Sequence, residues 1–335
     1  MKKMNGIKVL VTGAGGPAGM GVIKSLKLSD LDINILGADM DKYAPGLYIS
    51  DKSFIIPAAD NEKFSEKILE ICDLEDVDII IPTVDQEVVI FSKFMDRLNK
   101  IHVKIMIPNL QNILNCINKW KTYNICKKER LDVPLSIQVT RENIIENMSE
   151  LDFPIVIRPY QSRGARGISF IQSKDEIPAA IRKAEKYSDK YMIQEFVPGP
   201  VYTVSCLLDQ KSNIKASIVL KKLKEKPSTG GVAIAGKTIV NEEIRELGEK
   251  YAKALNWVGI CSPEIKFDIN ENKYKLMEIN PRIFGYNYLA SVAGVNLSEL
   301  YINLCLGKDI EKNLDYKENL FFIRSWNDIV VKDIK

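Results

Sequence analysis

The chain has 335 residues, of which 46% are hydrophobic and 27% are charged. This length suffices for two or three packed layers, and this composition excludes a disordered or fibrous protein. The 47 basic and 44 acidic residues nearly balance and are dispersed along the chain, so the charge does not indicate a nucleic-acid partner. His102 is the only histidine, which excludes a zinc site built on two histidines.

The first residues hold two lysines and then a short apolar run, which meets glycines too soon for a signal peptide. No later run approaches the length of a membrane span. The 6 cysteines are scattered without CxxC spacing, as is typical of reduced thiols. We therefore expect a cytoplasmic protein that has no membrane partner.

Up to about residue 110, strand-like runs alternate with helix-like ones. Five runs are predicted strands: IKVLVTGA, INILGAD, SFIIPA, DIIIPTV and KIMIP. Several are apolar throughout, as in a parallel sheet that is covered on both faces. Helical periodicity lies between them in MGVIKSLKLSD, EKFSEKILEICD and QEVVIFSKFMDRLNK. The pattern predicts an open parallel α/β domain of the Rossmann type.

The pattern changes near residue 112, where a predicted helix pair runs up to Pro134. Two strands, FPIVIRPY and GISFIQ, then flank a Gly- and Arg-rich loop, and a helix and the strand YMIQEFV follow. Four more strands of an antiparallel sheet are predicted beyond them: VYTVSCLLD, KASIVLKKLK, ICSPEIKFDI and YKLMEINPR. We expect three units, at residues 1–111, 112–196 and 197–335, so that an α/β domain precedes two α+β lobes.

Oxygen-bearing side chains recur near the end of this predicted sheet. Glu278 and Asn280 stand two apart on one strand, so their side chains point to the same face. A carboxylate and an amide oxygen suit magnesium, and Glu264 on another predicted strand offers a third ligand. Arg282 adds a cation for a phosphoryl group that develops charge. The alternative interpretation is a polar strand end capped by Asn-Pro.

Cations and glycines are placed to bind phosphate. Arg158 ends an apolar strand, and the loop QSRGARG (161–167) has glycines whose backbone N–H groups can approach phosphates. Lys119 begins a predicted helix and supplies a second cation. The backbone of the strand MIQEFV can pair with an adenine edge. Taken singly, each feature is more often a surface cation or an ordinary turn.

In this order, from residue 1 to about 310, these elements resemble the ATP-grasp superfamily. Within it, they are similar to the branch that contains the large subunit of carbamoyl phosphate synthetase. The resemblance implies a Rossmann-like domain, then a two-lobed ATP-grasp domain that uses ATP with magnesium or manganese. The nucleotide-binding residues that it implies are Lys119, Arg158, Gly164, Arg166, Gly167, Gln194, Glu195, Phe196 and Val197.

The resemblance also assigns the reacting centre. It makes Glu264, Glu278 and Asn280 the magnesium ligands, and it places Arg282 near the transferred phosphate. Lys222 matches, more loosely, a basic residue that faces the acyl phosphate. The implied enzyme is an ADP-releasing ligase, which phosphorylates a carboxylate and passes the acyl group to an amine.

Two positions depart from the pattern PGxEYTVD that relatives often have after the hinge. Val201 replaces the glutamate expected to bind the ribose hydroxyls, and Ser205 replaces a common aspartate. The first change removes a carboxylate–hydroxyl contact. We therefore expect altered nucleotide binding rather than loss of catalysis, because the predicted magnesium ligands are intact.

Two N-terminal features remain open in function. Glycines follow the first predicted strand, and Asp39 lies far enough beyond them to fit a dinucleotide fingerprint. An NAD-dependent oxidoreductase is therefore an alternative, although ATP-grasp proteins often retain such a turn without a dinucleotide. Asp85 and Glu87 follow another strand at its carboxyl end, where Glu87 can hold the amino group of a substrate. The equal alternative is that Asp85 caps the next helix.

The leading functional prediction is an amide-forming ligase acting on an amino acid or another small carboxylate. The alternatives are a carbamoyl-phosphate-type reaction with bicarbonate and ammonia, and a nucleotide-binding protein with weak turnover. We expect only small-molecule substrates and, by default, a homodimer.

Overall fold

The N-terminal part of the fold is a four-stranded parallel sheet with the order β3-β2-β1-β4. The structure is a computed structural model that describes residues 6–147, 151–162, 166–226, 231–325 and 327–334. The strands are β1 (Ile7–Thr12), β2 (Ile33–Asp39), β3 (Lys52–Ile55) and β4 (Ile79–Ile81). The helices that accompany them are α1 (Pro17–Leu26), α2 (Pro45–Ile49), α3 (Phe64–Glu75) and α4 (Asp85–Lys100). This arrangement confirms the predicted open parallel α/β fold.

The fifth predicted strand of this sheet, KIMIP, was wrong. Only one parallel bridge forms there, between Lys104 and Ile79. The backbone N–H of Met106 donates instead to the hydroxyl of Tyr301, at 2.6 Å. Because this donor is satisfied by a side chain from far along the chain, the strand pairing does not continue.

Two helices follow, α5 (Leu110–Ile117) and α6 (Lys119–Lys128), as predicted. Asparagine side chains cap both: Asn109 accepts from the N–H of Asn112, and Asn118 accepts from the N–H of Lys121. The cap at Asn118 fixes the start of α6 and so places Lys119 in its first turn.

A four-stranded antiparallel sheet comes next, with the order β5-β8-β6-β7. Its strands are β5 (Ser136–Val139), β6 (Ile155–Pro159), β7 (Ser169–Ile171) and β8 (Tyr191–Glu195). The helices α7 (Ile144–Asn147) and α8 (Ile177–Glu185) accompany it. Its core is a separate apolar cluster that extends from Val139 to Ile193.

The largest sheet has six strands in the order β13-β12-β9-β10-β11-β14, and every pairing is antiparallel. Its strands are β9 (Val201–Leu208), β10 (Ile214–Lys226), β11 (Val232–Ile239), β12 (Gly259–Asp268), β13 (Lys273–Asn280) and β14 (Phe321–Ile323). The helices of this part are α9 (Glu242–Ala254), α10 (Asn287–Ala293) and α11 (Leu297–Cys305).

The apolar cores join the first and third parts of the chain. Two clusters each combine residues of the parallel sheet with residues of the six-stranded sheet, and the helix pair α5–α6 packs into one of them. The buried amide of Asn287 reinforces this junction, because it donates to the backbone oxygen of Ala18, at 3.2 Å. The parallel sheet and the six-stranded sheet therefore share their cores, whereas the four-stranded antiparallel sheet has a core of its own.

Candidate active site

A cleft of about 750 Å³ lies between the four-stranded antiparallel sheet and the six-stranded sheet. One wall comes from β6, β7 and β8, and the other from β9, β10, β12 and β13. Most of the polar side chains that line the cleft are carried by these strands and are therefore held on rigid elements.

Two carboxylates meet in this cleft. Glu264 on β12 and Glu278 on β13 are direct partners in the antiparallel register, so their side chains lie side by side. Burial opposes the charge of Glu278, but Lys119 and Arg158 hold the pKa of that carboxyl below its usual value. Burial raises the pKa of Glu264, which the adjacent charge of Glu278 also favours. A half-buried acid pair of this kind requires positive charge close by.

Arg158, on β6, contacts the acid pair from the opposite sheet. Its Nη2 donates to Glu278 Oε2 at 3.1 Å, and its Nη1 donates to Gln194 Oε1 and to the backbone oxygen of Met277. The residue is buried, and burial lowers its pKa. Its Nε–H has no hydrogen-bond partner among the residues that the structure describes. A buried donor of this kind is suited to a phosphate oxygen.

Lys119 supplies a second cation to Glu278. Its Nζ lies 3.7 Å from Glu278 Oε2 and donates to the backbone oxygen of Ser162 at 2.9 Å. Burial lowers the pKa of this amine. Since Ser162 directly precedes undescribed residues of the glycine-rich loop, Lys119 links that loop to the acid pair.

Lys222, on β10, neutralises the other carboxylate. Its Nζ lies 2.5 Å from Glu264 Oε2 and 2.9 Å from Glu225 Oε1. Burial opposes the charge of Lys222, but Glu264 above all, and then Tyr286 and Glu225, raise the pKa of the amine well above its ordinary value. The predicted proximity of Lys222 to the reacting centre is therefore consistent with the geometry.

Arg282 joins the end of β13 to the parallel sheet. Its Nη2 lies 3.4 Å from Asn280 Oδ1, and its Nε lies 2.8 Å from Asp85 Oδ1 at the start of α4. Asp85 is thus an ion-pair partner of Arg282, an arrangement that neither sequence interpretation of Asp85 anticipated. Asn280 Nδ2 also donates weakly to the backbone oxygen of Ser262, which leaves its oxygen toward Arg282.

The predicted adenine hinge has two kinds of residue. Gln194 is buried and bonds Arg158 and Ser136, and the side chain of Glu195 bonds Lys275 at 2.7 Å, so both side chains are engaged within the protein. Phe196 and Val197 line the cleft itself. The adenine contact expected of this segment would therefore come from its backbone and from the Phe196 ring.

The glycine-rich loop is described in part. Gly164 lies outside the described residues, Arg166 is exposed, and Gly167 has a φ of +74°. At Gly167, a Cβ atom would lie 2.7 Å from Pro159 and 2.8 Å from Tyr187. Glycine is therefore required there by both conformation and space.

The prediction that Glu87 holds a substrate amine is not supported. Its side chain is 5% exposed and accepts a hydrogen bond of 2.7 Å from Thr12 Oγ1. Burial raises the pKa of Glu87 to about 8; the Thr12 bond opposes this shift and the nearby Asp39 adds to it. Glu87 is thus an internal group beneath the first glycine loop. The sequence shows that this residue follows a strand, but it does not show that its carboxyl is buried.

The first glycine loop packs against α2. Asp39 accepts a hydrogen bond from the N–H of Gly15 at 2.8 Å, and a Cβ atom on Gly46 would lie 2.1 Å from the oxygen of Ala14. The carboxylate expected to bind a ribose hydroxyl is thus bonded to the loop itself. This geometry disfavours the dinucleotide interpretation.

The sequence interpretation missed three further charged residues that line the cleft: Lys224, Glu225 and Lys266. Lys266 is two positions beyond Glu264 on β12, and the alternation of a strand was a sufficient signal to find it. Glu225 also lines the cleft, although its odd spacing from Lys222 would place it on the opposite face of a regular strand.

The described residues fit a magnesium ion that is shared with phosphates. They contain no group of three or more His, Cys, Asp or Glu side chains that would enclose a metal by itself. The two carboxylates of Glu264 and Glu278 and the amide oxygen of Asn280 are hard oxygen donors, and magnesium bound through few protein ligands commonly completes its shell with phosphate and water.

In the described part of the chain, no helix is long and apolar enough to cross a membrane.

A cleft between two antiparallel sheets, lined by paired carboxylates and buried cations, is typical of an enzyme that binds a nucleotide with a divalent metal. Residues 116–286 match the family model described as "ATP-grasp domain", and residues 9–106 match "PylC-like, N-terminal domain". The chain belongs to the ATP-grasp family. The predicted resemblance and fold class are confirmed.

Known proteins agree with this assignment. The chain is 24% identical over 337 positions to the carbamoyl phosphate synthase large chain of Pyrococcus furiosus. The alignment covers 92% of this chain and 31% of that protein. It therefore spans about a third of the length of this curated relative. Its fold is similar to a biotin carboxylase complex from Campylobacter jejuni, with a TM-score of 0.74, 17% identity and coverage of 91% and 72% of the two chains. The fold is also similar to an L-amino acid ligase from Bacillus licheniformis, with a TM-score of 0.68 and 16% identity. The match covers 90% of this chain and 75% of that chain.

Proposed function

We propose that this chain is an ATP- and magnesium-dependent ligase that joins a small carboxylate to an amine through an acyl phosphate. The observation that carries the proposal is the acid pair Glu264–Glu278, in register across two strands and contacted by Lys119, Arg158 and Lys222. An acid pair surrounded by cations can exchange partners when a metal–triphosphate arrives. The carboxylates would then hold the metal, and the cations would bind the phosphates.

Lys119 and Arg158 bind the phosphates of ATP in this proposal. Both side chains are buried, and burial lowers the pKa of each, so an incoming anion gains charge-assisted hydrogen bonds in a site of low polarity. Glu264, Glu278 and Asn280 would hold magnesium, which when bound neutralises phosphate charge and aligns the γ-phosphoryl group.

Arg282 and Lys222 act at the transferred group. An oxygen of the substrate carboxylate attacks the γ-phosphorus, ADP leaves, and Arg282 stabilises the charge on the equatorial oxygens. The amine then attacks the acyl carbon, inorganic phosphate leaves, and the nitrogen loses its proton. Lys222 lies between Glu264 and Glu225 and is placed to bind the departing phosphate. Asp85, in the first turn of α4, positions Arg282 through their ion pair, so the N-terminal part of the fold contributes to the site.

The substrates that we propose are small molecules, with an amino acid among the first to test. The fold neighbour from Bacillus licheniformis is named an L-amino acid ligase. A carbamoyl-phosphate-type reaction is the second candidate, because the curated relative is a carbamoyl phosphate synthase large chain. A nucleotide-binding protein with weak turnover is a third outcome of the same assay, and a cytoplasmic homodimer with units at 1–111, 112–196 and 197–335 remains the expected organisation.

The test is ADP release in the presence of magnesium and ATP, measured across a panel of amino acids, other small carboxylates and bicarbonate, with and without an amine. Mass spectrometry follows any new product. Release of ADP that requires both a carboxylate and an amine, with an amide of the matching mass, is the expected result. ADP release with bicarbonate and ammonia alone would favour the second candidate. ATP binding without ADP release under every condition would contradict a ligase.

A further inference from the structure

Strand β10 contains an irregularity beside the cleft. Its pairing with β11 shifts register between Lys222 and Lys224, and again between Lys224 and Glu225. In a regular strand, residues three apart point to opposite faces. Here Lys222 Nζ lies 2.9 Å from Glu225 Oε1, so both side chains are on the same side. The bulge therefore turns an additional carboxylate into the cleft, a use for which bulges are well known.

The surroundings of Glu225 place it between the hinge and the acid pair. Its Oε1 contacts Lys222, which also binds Glu264. Lys266, from β12, lines the same cleft. Lys266 Nζ donates to the backbone oxygen of Val197 at 2.7 Å, in the hinge segment. A nucleotide whose base lies at the hinge and whose phosphates lie at the acid pair has its ribose between these two points.

Among the described residues that line the cleft, Glu225 is the carboxylate that lies outside the proposed metal site. Val201 on β9 is the register partner of Lys266 and presents only methyl groups to the cleft. Glu264 and Glu278 are engaged by cations in the proposed metal site. Glu225 contacts Lys222 through Oε1, its Oε2 has no hydrogen-bond partner among the described residues, and its side chain is 13% exposed. A vicinal diol donates two hydrogen bonds, and a carboxylate with a free oxygen is a matching acceptor.

We propose that Glu225 binds the ribose hydroxyls of the nucleotide, so that a carboxylate carried by the bulge of β10 takes the place of the one missing at Val201. This inference rests on the proposed function, because it needs a nucleotide in the cleft. Lys222 fixes one oxygen of Glu225, and the second oxygen accepts from the sugar. The site thereby selects ribonucleotides over their deoxy forms.

The experiment compares the equilibrium binding of ADP, 2′-deoxyADP and 3′-deoxyADP, each with magnesium, because none of these ligands is turned over. The unmodified chain should bind at least one deoxy form about tenfold more weakly than ADP, the loss expected for one charge-assisted hydrogen bond. In Glu225→Gln this ratio should fall to about two or less, since an amide accepts more weakly than a carboxylate. Glu242→Gln, an exposed change on α9, serves as the control and should keep the ratio of the unmodified chain.

A second variant separates ribose binding from a structural role. Adding Val201→Glu to Glu225→Gln returns a carboxylate to the same part of the cleft and should restore a ratio of about tenfold. If Glu225 acts only by holding Lys222, Glu225→Gln will weaken all three nucleotides equally, and the inference is overturned. Equal binding of all three nucleotides by the unmodified chain would also overturn it, while leaving the proposed function intact. Failure to bind ADP or ATP at all would overturn both.

Discussion

Replacement of Glu87 by glutamine tests the buried carboxyl of the parallel sheet. Burial raises the pKa of Glu87 to about 8 from an ordinary value of 4.5. Between these two pH values the unfolded chain is ionised at this position, whereas the folded chain keeps the proton. A group whose folded pKa is raised contributes its full stability below pH 4.5 and loses it as the pH rises toward 8.

The size of the effect follows from the pKa difference. At 1.36 kcal/mol per pH unit, keeping Glu87 protonated lowers the free energy of unfolding by about 3 kcal/mol at pH 7 and about 5 kcal/mol at pH 8. The side chain is only 5% exposed, so solvent screening reduces this value little. Glutamine cannot ionise, is similar in size, and keeps an oxygen that accepts from Thr12. Glu87→Gln should therefore gain stability over the unmodified chain as the pH rises.

The assay is thermal unfolding of both chains at pH 5, 6, 7 and 8. The variant should melt within about 2 °C of the unmodified chain at pH 5 and higher by about 5 °C or more at pH 8. Glu70→Gln, an exposed change on α3 of the same part of the chain, is the control and should show no such divergence. Parallel pH profiles for Glu87→Gln and the unmodified chain would refute the assignment of Glu87 as a buried neutral acid.

Three other substitutions test the cleft and the first glycine loop. Arg158→Met leaves the carboxylate of Glu278 short of a buried partner, so we expect a loss of about 2–3 kcal/mol in the free energy of unfolding. The affinity for ADP should fall at least about tenfold; an unchanged affinity would contradict phosphate binding by Arg158. Glu278→Gln should lower magnesium-dependent ADP release by a factor of about 10² or more with the circular dichroism spectrum unchanged, and full activity would exclude the metal assignment. Gly46→Ala places a Cβ atom 2.1 Å from the oxygen of Ala14 and should lower the melting temperature by several degrees, whereas Gly16→Ala, whose nearest contact would be 3.5 Å, should leave it nearly unchanged.

Features that depend on local periodicity were accessible from the sequence. The spacing of Glu278 and Asn280 placed them on one face of a strand, and the structure puts Glu278 beside Glu264 in the antiparallel register. The helix pair was predicted from the sequence, and in the structure each helix begins at an asparagine cap, the second of which puts Lys119 in the first turn of α6. In these cases the signal and the structure involve the same few consecutive residues.

Features that depend on distant partners were not accessible. Asp85 pairs with Arg282, almost two hundred positions away in the chain, and no local pattern distinguishes this from a helix cap. The predicted strand KIMIP forms only one bridge because the N–H of Met106 donates to the hydroxyl of Tyr301, a residue of α11. In each case the decisive contact comes from an element that packs there only once the two cores have formed.

Glu225 shows why such failures are informative. The alternation rule, counted from Lys222, places Lys224 in the cleft and turns Glu225 away from it. That rule assumes unbroken pairing with the neighbouring strand, and the pairing of β10 with β11 is broken at these positions. A bulge disrupts the ladder locally, so it persists where other contacts outweigh that loss. Here the bulge brings a carboxylate onto Lys222, on the wall of the cleft where Val201 offers no acceptor. The position at which the local rule fails is therefore the position at which we expect a functional contact.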